Sequence, residues 1–207
     1  MIPISDILIR SISGYVFIVP LVILYFLYIQ KTKNKQSVFH IASVLLFCYY
    51  LFGILTVTGI GYTKTISFAP NISLIPFIGM FTGPIDTVLN ILLFVPFGFF
   101  LPLLYKKYHH IKMVVLTGFL FSLAVEITQM FGWGSSDIND LITNTIGVCF
   151  GYLIYHFLSK AVRRDWLYKF QSQNTNDFIE VIMISICSFV VMITIQPWVV
   201  HSVLNIP

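Results

Sequence analysis

Charged residues are scarce in this 207-residue chain, since Asp, Glu, Lys and Arg together make up only 10% of it. Soluble domains carry roughly 25% charged residues, so a soluble globular domain is excluded, because the chain cannot cover itself with a water-facing surface. Cysteine is also rare, and the three Cys residues lie within apolar runs, which excludes a disulfide-stabilised scaffold. Apolar residues, at 57%, are too abundant for a disordered chain. What remains is a polytopic membrane protein.

Apolar segments long enough to cross a bilayer recur along the chain. A helix needs about 20 apolar residues to cross roughly 30 Å of hydrocarbon, and an unpaired strand edge cannot lie in lipid. The sequence therefore predicts an all-α polytopic membrane helical bundle of about six transmembrane helices. The predicted spans are Ser11–Ile29, His40–Gly59, Thr87–Leu104, Ile111–Met130, Leu141–Leu158 and Phe178–Trp198.

The basic residues predict the orientation of these spans. Ten of the twelve Lys and Arg residues fall in alternate loops, and only Arg10 and Lys64 fall on the opposite side. By the positive-inside rule, the basic loops are cytoplasmic and both termini lie outside. Because the charges are divided among short loops beside the membrane, they are typical of contact with membrane lipids and argue against nucleic-acid binding. The ten are Lys31, Lys33, Lys35, Lys106, Lys107, Lys112, Lys160, Arg163, Arg164 and Lys169.

Three regions are predicted along the chain. Residues 1–62 form an N-terminal transmembrane hairpin, and residues 63–160 form a core of one outer interfacial segment and three spans. Residues 161–207 form a simple cytoplasmic linker and the last transmembrane helix. Within the core, residues 68–77 are too apolar for a free loop and too short to span. We expect them to lie in the outer interface or to fold back against the bundle.

The acidic residues are concentrated at one place in the predicted topology. Four of the eight, Asp86, Glu126, Asp137 and Asp140, fall at the outer ends of the third, fourth and fifth spans. Charged groups at membrane depth are costly and usually face the bundle interior or a wet cavity. The sequence therefore predicts a polar cluster in the outer leaflet, built by these three spans.

Two of these acids are expected to bring amide partners with them. Glu126 shares a helix face with Gln129 three residues later, and Asp86 shares one with Asn90 four residues later. Glu126 could instead be a carboxyl kept neutral by its pocket or hydrogen-bonded to neighbouring helices. Asp86 follows Gly83-Pro84 and could serve only as a helix N-cap.

The fifth span opens with a pair of acids and continues with polar and small residues. Asp137 and Asp140 are three apart, as in a helix cap, and acids in a first turn complement the helix dipole. Asn144 lies one turn beyond Asp140, and we expect it to bond the same partner as Glu126. Gly147 and Gly151 follow on that face, in a spacing that lets another helix approach closely.

Two further features of the spans lead to expectations for the bundle: a proline-containing run in the third span, and tyrosines near the span ends. The run Pro96-Phe97-Gly98 is expected to break the third span near the middle of the membrane, as helices do beside a cavity. Pro96 and Gly98 are therefore assigned to helix packing, together with the two glycines of the fifth span. Four tyrosines near the ends of the first two spans, Tyr25, Tyr28, Tyr49 and Tyr50, are expected in an interfacial aromatic belt.

These motifs, in this order, resemble the VanZ-like family, named for a bacterial teicoplanin-resistance membrane protein. The resemblance implies a multi-pass protein of the bacterial cell membrane that is tied to glycopeptide resistance, and it adds Asn71 to the candidate residues. Many relatives place an Arg shortly before the first Asp, where this chain reads Gly132-Trp133-Gly134-Ser135-Ser136. The matching motifs are Asn71-x-x-Leu74-x-Pro76-Phe77, Asp86-x-x-x-Asn90-x-x-x-Phe94-x-Pro96-Phe97-Gly98, Glu126-x-x-Gln129 and Asp137-x-x-Asp140-x-x-x-Asn144-x-x-Gly147-x-x-x-Gly151.

Three functions fit the predicted cluster. The first is an accessory protein that needs no cofactor. It binds an envelope lipid, a cell-envelope precursor or the basic groups of a glycopeptide. The second is an enzyme acting on an envelope lipid, in which Glu126, Asp137 and Asp140 serve as acid and base or hold Mg²⁺ or Ca²⁺. The third is a small transporter. The candidate ligand-binding residues are Asn71, Asp86, Asn90, Glu126, Gln129, Asp137, Asp140 and Asn144.

Overall fold

The computed structural model describes residues 4–31, 35–62, 68, 71–77, 83–132, 134–173 and 177–204. Six helices in these ranges are long and apolar enough to cross a membrane, which confirms the predicted all-α membrane bundle of six spans. Lys33 and Lys64, two of the residues in the orientation argument, lie outside the described residues.

The helices follow one another with short connections. They are α1 (Ile4–Lys31), α2 (Val38–Val57), α3 (Pro84–Leu104), α4 (Ile111–Gln129), α5 (Ile138–Ala161), the short α6 (Arg164–Phe170) and α7 (Asp177–Trp198). A 3₁₀ turn, Lys106–His109, joins α3 to α4, and a π-helical turn, Val199–Val203, extends α7.

The bundle has two chemically different ends. The acidic end is where α3 and α5 begin and α4 ends, so it carries Asp86, Glu126 and Asp137. The basic end is where α3 and α5 end and where α4, α6 and α7 begin, so it carries Lys106, Lys160 and their neighbours. The assignment of the acidic end to the outside stays a prediction.

Helices α3 and α5 touch through their backbones. A Cβ atom placed on Gly98 would collide with the carbonyl oxygen of Val148, and one on Gly151 would collide with that of Val95. Gly147 is equally close to the carbonyl of Ile91. The absence of side chains at these positions therefore lets the two helices approach closely, and this contact brings their first turns side by side at the acidic end.

The predicted break of the third span is wrong, because α3 runs through Pro96 without interruption. Tyr50 of α2 explains how the helix passes this point: its hydroxyl donates to the carbonyl of Leu93 at 2.5 Å and accepts from the N–H of Phe97 at 3.2 Å. These are the two groups that an α-helix would pair with each other. The side chain of Tyr50 is inserted between them, so its expected place in the interfacial belt is also wrong.

Aromatic rings fill the space between α2, α3 and α4. Phe97 lies at the centre, with its ring 5.7 Å from that of Phe47 and 5.0 Å from that of Phe121. The outer faces of the helices expose large apolar side chains such as Leu89, which is 56% exposed, and Leu24, which is 61% exposed. Such faces are typical of helices surrounded by lipid.

The described part of the segment before α3 folds back against the bundle, which was one of its two predicted alternatives. A short strand β1 (Ile72–Ser73) pairs in parallel with β2 (Ser136–Asp137), which leads directly into α5. Ile72 lies opposite Ser136, and Ser73 lies opposite Asp137. The pair fixes the chain ahead of α3 beside the first turn of α5.

The predicted simple linker after the fifth span is wrong. Its first half forms α6, and the chain that follows is built into the bundle: the N–H of Ser172 donates to the carbonyl of Leu104 at 2.8 Å. Gln171 and Ser172 are both buried. This segment therefore caps the end of α3, which a solvated linker would not do.

Candidate functional site

The end of α4 and the start of α5 are joined through a carboxylate. Glu126 lies in the last turn of α4 and is buried, and its Oε2 accepts a 2.8 Å hydrogen bond from the backbone N–H of Asp137. Asp137 is the N-cap residue of α5, and its Oδ1 accepts from the N–H of Asn139 at 2.9 Å. Glu126 therefore holds the residue that begins α5, and Asp137 in turn caps that helix.

Asn139 ties this turn to the segment before α3. Its Oδ1 accepts from the N–H of Phe77 at 2.6 Å, while its Nδ2 donates to the carbonyl of Ile75 at 3.3 Å and to Oδ1 of Asp137 at 2.9 Å. The side chain is only 5% exposed. A buried amide with donors and acceptors satisfied on two segments fixes their relative position.

Three of the predicted acids line one cavity at the acidic end. Asp86, Asp137 and Asp140, together with Asn90 of α3, surround a space of about 380 Å³. Thr87 in the first turn of α3, and Asn139 and Thr143 in the first two turns of α5, complete its polar wall. The structure thus brings residues from 50 positions apart in the chain, such as Asn90 and Asp140, to one site.

The cavity is bridged by a direct bond between α3 and α5. Nδ2 of Asn90 donates to Oδ1 of Asp140 at 2.6 Å. Asp86 lies one turn before Asn90, in the first turn of α3, where Gly83 occupies the N-cap position. The alternative in which Asp86 serves only as an N-cap is therefore wrong. Asp86 is exposed and lines the cavity, and no described residue donates a hydrogen bond to its carboxylate.

Glu126, Gln129 and Asn144 do not line this cavity. Nε2 of Gln129 donates to the carbonyl of Thr58 at the end of α2, at 3.0 Å, and Nδ2 of Asn144 donates to Oγ of Ser122 at 2.9 Å. The shared partner predicted for Asn144 and Glu126 is therefore wrong. All three side chains are buried, and within the described residues each one links one helix to a neighbouring helix or helix end.

Asn71 contributes its backbone to the site. Its carbonyl oxygen accepts from the N–H of Ser136 at 2.9 Å and from Oγ of Ser135 at 3.3 Å. Asn71 itself is exposed. The backbone of Asn71 aligns strand β1 with strand β2. This alignment sets the position of Ser136 and of the adjoining Asp137.

The electrostatic character of the cavity is negative. Among the described residues that line it, none is Lys or Arg. Arg10, which the topology assigns to the same side, is 3.1 Å from the carboxylate of Asp6 and lies 4.2 Å from the ring centroid of Tyr62, in the α1–α2 part of the bundle. Among the described residues, no three Asp, Glu, His or Cys side chains are grouped so that they could hold a metal ion.

Sequence reasoning missed a buried carboxylate at the basic end. Glu180, only 1% exposed, accepts from the hydroxyls of Tyr25 at 3.1 Å and Tyr105 at 3.0 Å, and lies 3.5 Å from Nε2 of His40. Nδ1 of His40 donates to the carbonyl of Phe170 at 2.7 Å. Burial raises the pKa of Tyr105 well above its usual range, and Glu180 adds to the rise, so this phenol keeps its proton. An acid inside an apolar run was the available signal.

Comparison with known proteins places the chain in a family. A family model described as VanZ/LLP1 matches residues 39–159, which is more than half of the chain. The chain belongs to the VanZ/LLP1 family. Protein VanZ of Enterococcus faecium is 34% identical to it over 97 residues, which make up 45% of this chain and 58% of that relative. The match thus spans little more than half the length of the curated relative. No solved structure matches the chain.

The region that matches the VanZ/LLP1 model contains the whole acidic cavity. It covers nearly all of α2 and all of α3 and α4, and it ends two residues before the end of α5. Helices α1, α6 and α7 lie outside the matched region. In this VanZ/LLP1 protein, the residues at the acidic end are therefore part of the family region, and Glu180 is not.

Proposed function

We propose that this VanZ/LLP1 protein binds the cationic group of an envelope lipid, a cell-envelope precursor or a glycopeptide in its acidic cavity, and so contributes to teicoplanin-type resistance. The observation that carries the proposal is the convergence of Asp86, Asp137 and Asp140 on one cavity, where no described lining residue is basic. Three carboxylates in one concave site attract an amine or another cation.

Each of these carboxylates has an oxygen available for a ligand. Asn90 donates to Oδ1 of Asp140, and Asn139 donates to Oδ1 of Asp137, so within the described part of the chain no donor is bonded to the Oδ2 atom of either aspartate. Likewise, no described residue donates a hydrogen bond to either carboxylate oxygen of Asp86. An ammonium group carries donors that match such a set, and charge-assisted bonds are the stronger class of hydrogen bond.

The size of the cavity limits what enters it. A volume of about 380 Å³ is near the lower end of the roughly 300–1,000 Å³ that is usual for small-molecule sites. A whole glycopeptide is larger than this. The cavity therefore takes one amine-bearing group, while the rest of the ligand lies along the membrane surface.

The predicted orientation supports such a ligand. With the basic loops in the cytoplasm, the acidic end faces the outside of a bacterial cell membrane, where glycopeptides and exported envelope precursors are found. Glu126 does not line the cavity, and the side-chain bonds of Asn139, which does line it, go to neighbouring protein groups. These two residues hold Asp137 and the strand pair in place, so the cavity is formed before a ligand arrives.

A susceptibility assay tests the proposal. A teicoplanin-sensitive bacterium would express the wild type, Asp137→Asn/Asp140→Asn, or the control Asp165→Asn, which changes an exposed acid at the basic end. We expect the wild type and the control to raise the inhibitory concentration, and the double variant at equal membrane abundance to lose the increase. Equal protection by the double variant would contradict the proposal.

A further inference from the structure

A second cavity, larger than the acidic one, opens at the basic end. It encloses about 730 Å³ between the last turns of α5, helix α6 and the 3₁₀ turn before α4. Its lining includes Lys160, Arg164, His109 and His156, and none of the lining residues that the structure describes is Asp or Glu. Its chemistry is therefore the reverse of that of the acidic cavity.

Two fixed positive charges in this cavity have no acidic partner within the described residues. Lys160 and Arg164 both line it, and neither is in an ion pair there. The nearest acid in the sequence, Asp165, lies 3.4 Å from Arg163, which is outside the lining. Unmatched cations in a concave site of this size attract an anion.

One wall of the cavity is a hydrogen-bonded group formed by the exposed His109 and the buried Tyr155 and Gln171. Nε2 of His109 lies 3.1 Å from the hydroxyl of Tyr155 and 3.0 Å from the side-chain nitrogen of Gln171, which can only donate. Partial burial lowers the pKa of His109, and His110 and Lys106 lower it further, against opposing contributions from the backbone of Pro102 and from Asp177, so the neutral ring is favoured. The permanent positive charge of the cavity thus comes from Lys160 and Arg164. Hydrogen bonds hold His109, Tyr155 and Gln171 in place beside them.

The surroundings of the cavity are those of a membrane interface. Its lining also includes the apolar residues Val162 and Leu167. Phe157, 66% exposed, lies near the end of α5, and Trp166, 54% exposed, lies on α6. Aromatic side chains next to basic residues at the end of a spanning helix are typical of the headgroup region.

We propose that this cavity binds the phosphate of an anionic lipid headgroup, with Lys160 and Arg164 as its ligands. An Arg guanidinium pairs with phosphate through two parallel hydrogen bonds, and a Lys ammonium supplies a point charge. The acyl chains would then lie along the exposed apolar face of α5. Because a bilayer offers headgroups on both sides, the proposal holds for either orientation of the bundle, and it is independent of the ligand in the acidic cavity.

Native mass spectrometry of the full chain in detergent tests this site. The probes are phosphatidylglycerol, which is anionic, phosphatidylcholine, whose phosphate is balanced by a cation, and inorganic phosphate as a competitor. The variant Lys160→Gln/Arg164→Gln removes both cavity charges. The matched control Arg163→Gln/Lys169→Gln removes two positive charges from the same segment, but from residues outside the lining.

The wild type and the control are expected to retain phosphatidylglycerol at least about tenfold better than phosphatidylcholine, and the cavity variant to lose this preference. Inorganic phosphate should leave the bound lipid in place. Equal retention of phosphatidylglycerol by the cavity variant, or no preference in the wild type, would overturn the proposal. Displacement of the lipid by an equal concentration of inorganic phosphate would assign the site to a soluble phosphate and would also overturn it.

Discussion

The backbone N–H of Asp137 donates a 2.8 Å hydrogen bond to Oε2 of Glu126. This bond links the last turn of α4 to the residue that caps α5, and it makes Glu126 a positioning residue. The carboxylates that face the cavity, among them Asp140, depend on where α5 begins. At this end, the buried Glu126 therefore positions the start of α5, whereas Asp86, Asp137 and Asp140 face the cavity.

Glu126→Ala should destabilise the protein more than Glu126→Gln. Alanine leaves the N–H of Asp137 without its acceptor, at a cost of about 1–3 kcal/mol, whereas the side-chain oxygen of glutamine can still accept the bond. Melting temperatures of the purified variants in detergent measure the difference. A Gln variant as unstable as the Ala variant would show that the charge, and not the hydrogen bond, is what holds Asp137.

Tyr50→Phe should lower the melting temperature in detergent. The hydroxyl of Tyr50 serves the carbonyl of Leu93 and the N–H of Phe97, and its loss leaves two backbone groups beside Pro96 unsatisfied, at about 1–3 kcal/mol. Tyr49→Phe is the control, because Tyr49 makes an edge-on ring contact with Tyr15 that phenylalanine preserves. Equal melting temperatures for the two variants would contradict the bridging role.

Gly98→Ala and Gly151→Ala should each destabilise the α3–α5 pair. The added methyl group would collide with the backbone carbonyl of Val148 or of Val95, and neither carbonyl can rotate away as a side chain can. The expected cost is about 1–3 kcal/mol. Gly53→Ala in α2 is the matched control, since its Cβ would meet nothing within 4 Å, and alanine favours the helix. Retained stability in the Gly98 and Gly151 variants would refute this close contact.

Cysteine labelling should place the two ends of the bundle on opposite sides of the membrane. In a background with Cys48, Cys149 and Cys187 replaced, Ser135→Cys at the acidic end should react with a membrane-impermeant maleimide on whole cells, and Lys107→Cys at the basic end should not. Both positions are exposed, so burial does not explain a difference. The opposite result would invert the orientation and move the acidic cavity to the cytoplasm.

The bundle could be predicted from the sequence because its determinants are local. Each span is a long apolar run, and the glycine spacing in α5 marks a face for close packing whatever the partner. The place of Asp86, Asp137 and Asp140 at the same ends of neighbouring spans follows from the alternation of the chain across the bilayer. These inferences require only the lengths of the apolar runs and the positions of the charged residues. They do not depend on knowing which distant residues are in contact.

Contacts between distant residues account for what the sequence could not predict. Pro96 in an apolar run indicates a broken helix, but Tyr50 of another helix bridges the gap in the backbone bonding. Asn144 shares a helix face with Asp140, yet its partner is Ser122, and the choice depends on the rotation of α4. Glu180 is satisfied by residues of α1 and of the end of α3, so its role is visible only once these helices are packed.

Binding of teicoplanin to the purified protein in nanodiscs tests the central claim most directly. The wild type should bind teicoplanin more tightly than a form whose amines have been acetylated, and added salt should weaken the binding. Asp137→Asn and Asp140→Asn should each weaken it about tenfold or more, as for the loss of a charged hydrogen bond, while Asp165→Asn should not. Equal affinity of the wild type and both cavity variants for teicoplanin would contradict the account.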